Sequence, residues 1–361
     1  MNELPSVKDN SVINDMRLPG EFTNNTFSNF KKLQVKNEME KCMLNGKLEP
    51  ACFWCCELIC SGHFSEIWET ILHFIGKYIH IANPKLCIYI EKRFLLFKSI
   101  ISNEDFVNEL HLRNHPSIRK IFAEVISILT YSNKKHSYET VKINKKEEYD
   151  ITQMTERLIA PSIHYIDDIF QKEDPKELFV AMNEFSYNLS TEKRNFRNAC
   201  YWIEWVIEFE IICKKKKMPC VCEPRPFVKL DTKFRTQPIW MIWDILFHHV
   251  SLKTNPFFLQ VMQSLFSLFC IKYTHGTPKR RRFLLYFAVS IITEECDLTT
   301  DMIQNKKNIQ NVLNNINKLY REIKKKEITP TTDYLFANLE QEANFENSLR
   351  KLQLVQSMDV L

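Results

Sequence analysis

Residues 199–217 read ACYWIEWVIEFEIICKKKK, and this stretch decides the fold class. Trp202, Val206, Phe209 and Cys213 recur at the spacing of one helix face, and Tyr201, Trp205 and Ile212 widen it. Only a narrow strip carrying Glu204 and Glu208 is left polar. A helix so apolar belongs in the middle of a domain. It ends in four consecutive lysines, which suit the exposed carbonyls of a helix C-terminus. A near-copy of its beginning, ACFWCCEL, stands 148 positions earlier at Ala51–Leu58. Trp54 and Trp202 are therefore expected to be buried on comparable helices.

Working outward, residues 1–25 are polar and Asn-rich and read as a flexible arm. Helices follow over 26–44, stopped by Asn45-Gly46, and over about 48–61, stopped by Gly62; a third runs through Trp68 and Phe74 to about Ile81. Five later starts carry a capping residue before proline: Asn83-Pro84, His115-Pro116, Asp174-Pro175 (with Glu177 as a capping box), Asn255-Pro256 and Thr277-Pro278. The spacing predicts an all-α, multi-helix globular body. Its divisions are an arm at 1–25, a helical lobe at 26–150, a second at 151–298, and a C-terminal helical hairpin or arm at 299–361.

The charged stretch His136–Asp150 marks the lobe boundary, and the proline-rich Met218–Pro238 reads as a surface loop. Glu124–Asn133 (EVISILTYSN) and Ser264–Tyr273 (SLFSLFCIKY) extend the repeat at a different offset. Two related lobes and a chance likeness of buried helices both stay open. Met302, Ile309, Val312, Ile316, Leu319 and Ile323 keep a heptad pattern, and Phe345, Leu349 and Leu352 form a second amphipathic stretch. A hairpin within the chain is favoured over a dimerising arm.

Composition narrows the function. The 361 residues are 45% hydrophobic and 12% aromatic, enough for a large core, and the net charge of +5 permits nucleic acid without demanding it. Five glycines argue against Rossmann and P-loop architectures. The beginning of the sequence shows no secretory signal, so twelve cysteines in apolar runs read as reduced core residues of an intracellular protein. The longest uncharged run, Pro256–Ile271, is short for a membrane span.

Candidate chemistry is thin. Cys52, Cys55, Cys56 and Cys60 share one helix with large apolar neighbours, which suits a core better than zinc. Cys220 and Cys222, with Cys213, are the better metal or redox candidates but match no strong ligand spacing, so no metal or cofactor is expected. His248-His249 suit a helix end. Glu204 and Glu208 lack the Glu-x-x-His partners of a di-iron site and are expected to face solvent or Arg194 and Arg197. Catalytic motifs are lacking. The basic runs carry the strongest signal: Lys214, Lys215, Lys216 and Lys217, then Lys279, Arg280, Arg281 and Arg282, with Lys134-Lys135 as a smaller pair. The second run would occupy a first helical turn, where the dipole disfavours cations, and that placement hints at a phosphate-bearing partner. Tyr273 and His275 stand close enough in sequence to stack on bases.

The stretches LNGKLEPACFWCCELICSGHFSEIWE, YIHIANPKL and ACYWIEWVIEFEIICKKKK resemble an uncharacterised family of proteins from nucleocytoplasmic large DNA viruses of the mimivirus and algal-virus kind, over roughly residues 40–290. More locally, Ala51-Cys52-Phe53-Trp54, Gly62 and Ile81-Ala82-Asn83-Pro84 are similar to the helical C-terminal region of clamp-loader-related ATPases of the MgsA and Werner-helicase-interacting type, whose ATPase module is not found here. The virus family brings no known activity, and the ATPase-type region is a domain that oligomerises near replication forks. With no catalytic motif, the leading expectation is a non-enzymatic accessory or scaffold protein of a large DNA virus, working with replication or transcription machinery in the host cytoplasm or viral factory. Its partners would be viral or host proteins, with nucleic acid or an acidic protein on the basic clusters, and the C-terminal helices offer a route to oligomers. The alternatives are a virion structural or assembly protein and, as a minor reading, a thiol or zinc enzyme centred on Cys220 and Cys222.

Overall fold

The computed structural model describes residues 10–103, 108–143, 157–218 and 220–329. Among them the chain is all-α, the one β feature being an isolated bridge between Asn25 and Lys31. The first lobe comprises α1 (Lys32–Leu44), α2 (Leu48–Cys60), α3 (Phe64–Phe74), α4 (Lys85–Asn103) and α5 (Pro116–Tyr131). The second comprises α6 (Phe179–Leu189), α7 (Phe196–Lys215), the one-turn α8 (Thr232–Arg235), α9 (Ile239–Ser251), α10 (Pro256–Cys270), the one-turn α11 (Thr277–Arg280) and α12 (Arg282–Thr293). A last helix, α13, spans Lys306–Lys324.

Local chemistry accounts for several helix ends. Gly46 and Gly62 take φ of +69° and +75°, the left-handed turn that stops α1 and α2. His115 and Asn255 cap α5 and α10 by accepting amide hydrogen bonds from Ile118 and Phe257. Asp174 does not cap, contrary to the expected capping box. Its carboxylate is taken by the buried Arg225, and a 3₁₀ turn leads into α6 instead.

Without the one-turn helices, the two lobes share an order and a pairing scheme. In each, the second helix packs on the first and fifth, the third touches the first and second, and the fourth touches the fifth. The Ala-Cys-aromatic-Trp helices α2 and α7 occupy the same place in this scheme. The counterpart of α5 is therefore α12, not α10, so the expected match of Ser264–Tyr273 with Glu124–Asn133 is corrected. A second correspondence supports the new register. Arg119 and Arg281 each lie three residues past the proline that opens the fifth-helix segment, and each is buried. Arg119 donates to the Arg113 carbonyl at 2.7 Å, and Arg281 to those of Phe269 and Ile271 at 2.7 and 2.6 Å. The tryptophans match less well. Trp202 is 1% exposed, while Trp54 is only half-buried against Phe30 and Phe53 at the edge of α2.

The lobes share one hydrophobic core. Their fourth helices, α4 and α10, pack together, and α12 lies against the wide turn Ile75–Ile79 that continues α3. A Cβ on Gly76 would meet the Phe283 carbonyl carbon at 2.8 Å, so glycine is what lets α12 approach. The expected boundary between residues 150 and 151 lies outside the described residues. Of the connector, residues 134–143 have no regular secondary structure, and Lys135 and Tyr138 donate amides to the carbonyls of Tyr78 and Lys77.

Both chain ends differ from expectation. From residue 10 onward the supposed arm is ordered: Ser11 and Ile13 are buried, and Arg119 and Asn114 bind their backbone. The heptad face of α13 is real, with Ile309, Ile316, Tyr320 and Ile323 buried, but it packs on α5 and α2 as part of the first lobe. Arg119 closes this junction from beneath, its guanidinium 3.7 Å from the Tyr320 ring centroid. The second amphipathic stretch, with Phe345, Leu349 and Leu352, lies outside the described residues. No helix among the described residues is long and apolar enough to cross a membrane.

Candidate nucleic-acid interface

The twenty residues of α7 carry the first basic cluster out of the core. Their apolar faces are buried from Ala199 to Cys213, and Lys214, Lys215, Lys216 and Lys217 emerge exposed at the C-terminus. Lys214 pairs with Glu210 one turn back at 2.6 Å. Its ammonium also donates to Nδ1 of His275, 3.2 Å away, and Gln237 Nε2 lies 3.1 Å from the same nitrogen. Two donors on Nδ1 place the proton of the neutral imidazole on Nε2. Partial burial, with Lys214 and Lys233 nearby, holds the His275 pKa below the usual imidazole value.

His275 belongs to the turn that leads into the second basic cluster, so the two clusters meet on one side of the molecule. Lys279 confirms the adjacency, with Nζ 3.7 Å from Glu208 on α7. The cluster itself divides. Lys279 and Arg280 are exposed, whereas Arg281 and Arg282, expected beside them as phosphate-binding cations, are not on the surface. Arg281 is 4% exposed, paired with Glu69 of α3 and bound to the carbonyl end of α10. Arg282 turns inward to Glu204 at 3.2 Å, and Tyr286 donates to the other Glu204 oxygen at 2.8 Å. Burial raises the Glu204 pKa, and Arg282 opposes the rise. Glu204 and Glu208 thus face neither solvent nor Arg194 and Arg197. They anchor the second cluster to α7.

The loop after α7 adds cations outside the two expected runs. Lys229, Lys233, Arg235 and Lys272 are exposed around a shallow groove of about 860 Å³ floored by Phe234 and Tyr273. Phe234 packs edge-on against Tyr273 and His275, with ring centroids 5.3 and 5.0 Å away. The sequence holds a signal for it: KLDTKFR at 229–235 sets basic residues around an aromatic one, the pattern of strand-binding surfaces. Lys134, of the smaller expected pair, folds back onto the end of α5, donating to the Thr130 carbonyl at 2.7 Å.

The cysteine candidates are packed interior groups. Cys52, Cys55, Cys56 and Cys60 are buried, as are Cys213 and Cys222, while Cys220 is half-buried. Burial pushes the Cys220 thiol up to about 12 and raises that of Cys222 as well, the reverse of an activated thiolate. Among the described residues no group of histidine, cysteine and carboxylate side chains has the geometry of a metal site. His249, in the last turn of α9, is hydrogen-bonded to Ser186 at 2.8 Å, and burial lowers its pKa to about 4.

The chain can therefore present an electropositive face built by α7, the 271–280 turn and the 229–235 loop, with an aromatic floor between them. Comparison with protein-family models, curated proteins and solved structures found no match to this chain.

Proposed function

We propose that the protein is a non-enzymatic helical accessory or scaffold protein that binds nucleic acid through this face. The carrying observation is convergence. Lys214 and His275 touch, and Lys279 is tied to Glu208 on the same helix, so runs more than sixty residues apart form one surface. Lys215–Lys217, Arg280, Lys229, Lys233, Arg235 and Lys272 extend it. Cations of this kind contact phosphates and release counterions, giving affinity without sequence preference. The local likeness of Ala51–Trp54, Gly62 and Ile81–Pro84 to a domain that oligomerises near replication forks supports a setting beside replication or transcription machinery, while the virus family brings no known activity.

Replacing Lys214–Lys217 together with glutamine tests the reading. Fluorescence anisotropy with a labelled duplex should show weaker binding. The slope of log K against log salt should flatten by roughly 0.7–0.9 for each phosphate that the variant no longer neutralises. Preference among sequences should not change. An unaltered binding curve would remove nucleic acid from the proposal.

A further inference from the structure

A pocket of about 800 Å³ opens at the other end of α7 from the lysines, between its first turn and the connector at 136–142. That volume lies in the range of small-molecule sites, roughly 300–1,000 Å³. One wall is aromatic: Tyr138 and Phe196 stack with centroids 4.8 Å apart, and Tyr286 meets Phe196 edge-on. Tyr138 and Tyr286 are buried and fixed from behind, Tyr286 by Glu204 and by the Val141 amide. Phe196 is half-buried and offers the ring surface that a ligand would reach.

The rim is cationic. Lys142, Arg157 and Arg197 are exposed lining residues, against Glu139 as the one carboxylate among the described lining residues. Arg157 is held in place, its guanidinium 4.2 Å from the centroid of the Tyr201 ring. Arg197 lies in the first turn of α7, where the positive end of the helix dipole adds to its charge. A planar hydrophobic wall beside two forked cations fits a flat ring joined to phosphate groups.

We propose that this pocket binds a free nucleotide, with its base against Phe196 and its phosphates on Arg157 and Arg197. The site is separate from the basic face. At 1.5 Å rise per residue, Arg197 and Lys214 lie about 25 Å apart along α7.

Isothermal titration of the full chain with ATP, adenosine, pyrophosphate and an oligo-dT strand tests the assignment. ATP should bind, and adenosine and pyrophosphate should each bind at least about tenfold more weakly, because each engages only one half of the site. Arg157→Ala with Arg197→Ala should weaken ATP by about tenfold or more. Both residues are exposed, so the thermal midpoint should hold and show that the variant is folded. Glutamine at Lys214–Lys217 should leave ATP binding unchanged. No ATP binding to the native chain, or undiminished binding in the double arginine variant, overturns the proposal. So does a strand that binds here while ATP does not.

Discussion

Within Lys279–Arg282 the cations divide by direction. Lys279 and Arg280 face water, while Arg281 and Arg282 reach back to Glu69 and Glu204. Cations at a helix start work against the dipole, and half of the reason for them here is internal: one guanidinium neutralises the carbonyl end of α10. Arg281→Gln should therefore cost stability, about 1–3 kcal/mol, because it takes the donor from three buried backbone carbonyls and leaves the partly exposed Glu69 only the longer Arg280 pair. Arg280→Gln, an exposed pair 4.0 Å from the same carboxylate, should cost less than about 1 kcal/mol. Urea denaturation of the two variants reads the difference, and equal midpoints would refute the division. His275 makes a second prediction at this scale. Its pKa is held below the ordinary value by burial and by Lys214 and Lys233, and a bound phosphate would reverse the sign of that field. Affinity for DNA should then rise as pH falls below about 6.5, where protonation becomes accessible. His275→Ala should flatten this dependence in anisotropy titrations, and a native pH profile persisting in that variant would take His275 off the interface.

At the scale of elements, much of the fold was legible because periodicity and proline caps are local signals. The apolar face of α7, the proline starts at Pro116 and Pro256 and the amphipathic face of α13 could all be read without neighbours. What those faces met could not. The α13 stripe satisfies a coiled coil and a seat on α5 equally well, since both bury the same residues. The repeat was legible at α2 and α7 but was extended to the wrong helix. The apolar character of α10 resembles that of α5, whereas its packing position is that of α4. The basic face was legible as two runs. Their convergence was not, because it depends on Glu208 and His275 being placed by tertiary contacts. Gly76 is another residue whose reason appears only in three dimensions. Gly76→Ala would drive a Cβ to 2.8 Å from the Phe283 backbone, so α12 or the wide turn must shift. The cost should be about 1–3 kcal/mol, with faster hydrogen exchange on both sides of the seam. Protection reduced in only one lobe would contradict a shared seam.

For the molecule as a whole, one core runs through both lobes, and α13 with the N-terminal segment closes the first. Unfolding should be a single transition by near- and far-ultraviolet circular dichroism. Two histidines, the buried His80 and the half-buried His249, contribute most clearly to its acid sensitivity. His80 sits at the seam, its ring stacked 4.0 Å from Tyr138 and its Nε2 2.9 Å from the His136 carbonyl oxygen, and burial lowers its pKa to about 4. His249, half-buried in the last turn of α9, is likewise held at about 4. In the unfolded chain both would titrate near 6.5, so between those values the unfolded state binds more protons than the native one. Stability is therefore full above about pH 6.5 and is lost as pH falls toward 4. The loss from each histidine is about 3 kcal/mol once it is fully protonated. Because the core is continuous, protonation at either site should lower the midpoint of the whole fold rather than melt one lobe. His249→Gln, whose amide falls near the place of Nε2 and so keeps a polar partner for Ser186, should lessen the pH dependence between 6.5 and 4.5 in urea titrations. His80, His63 and His275, whose pKa values are also lowered, supply the rest. A native slope in that variant would show that the acid sensitivity lies elsewhere. Two separated transitions at low pH would show that the lobes do not share their stability.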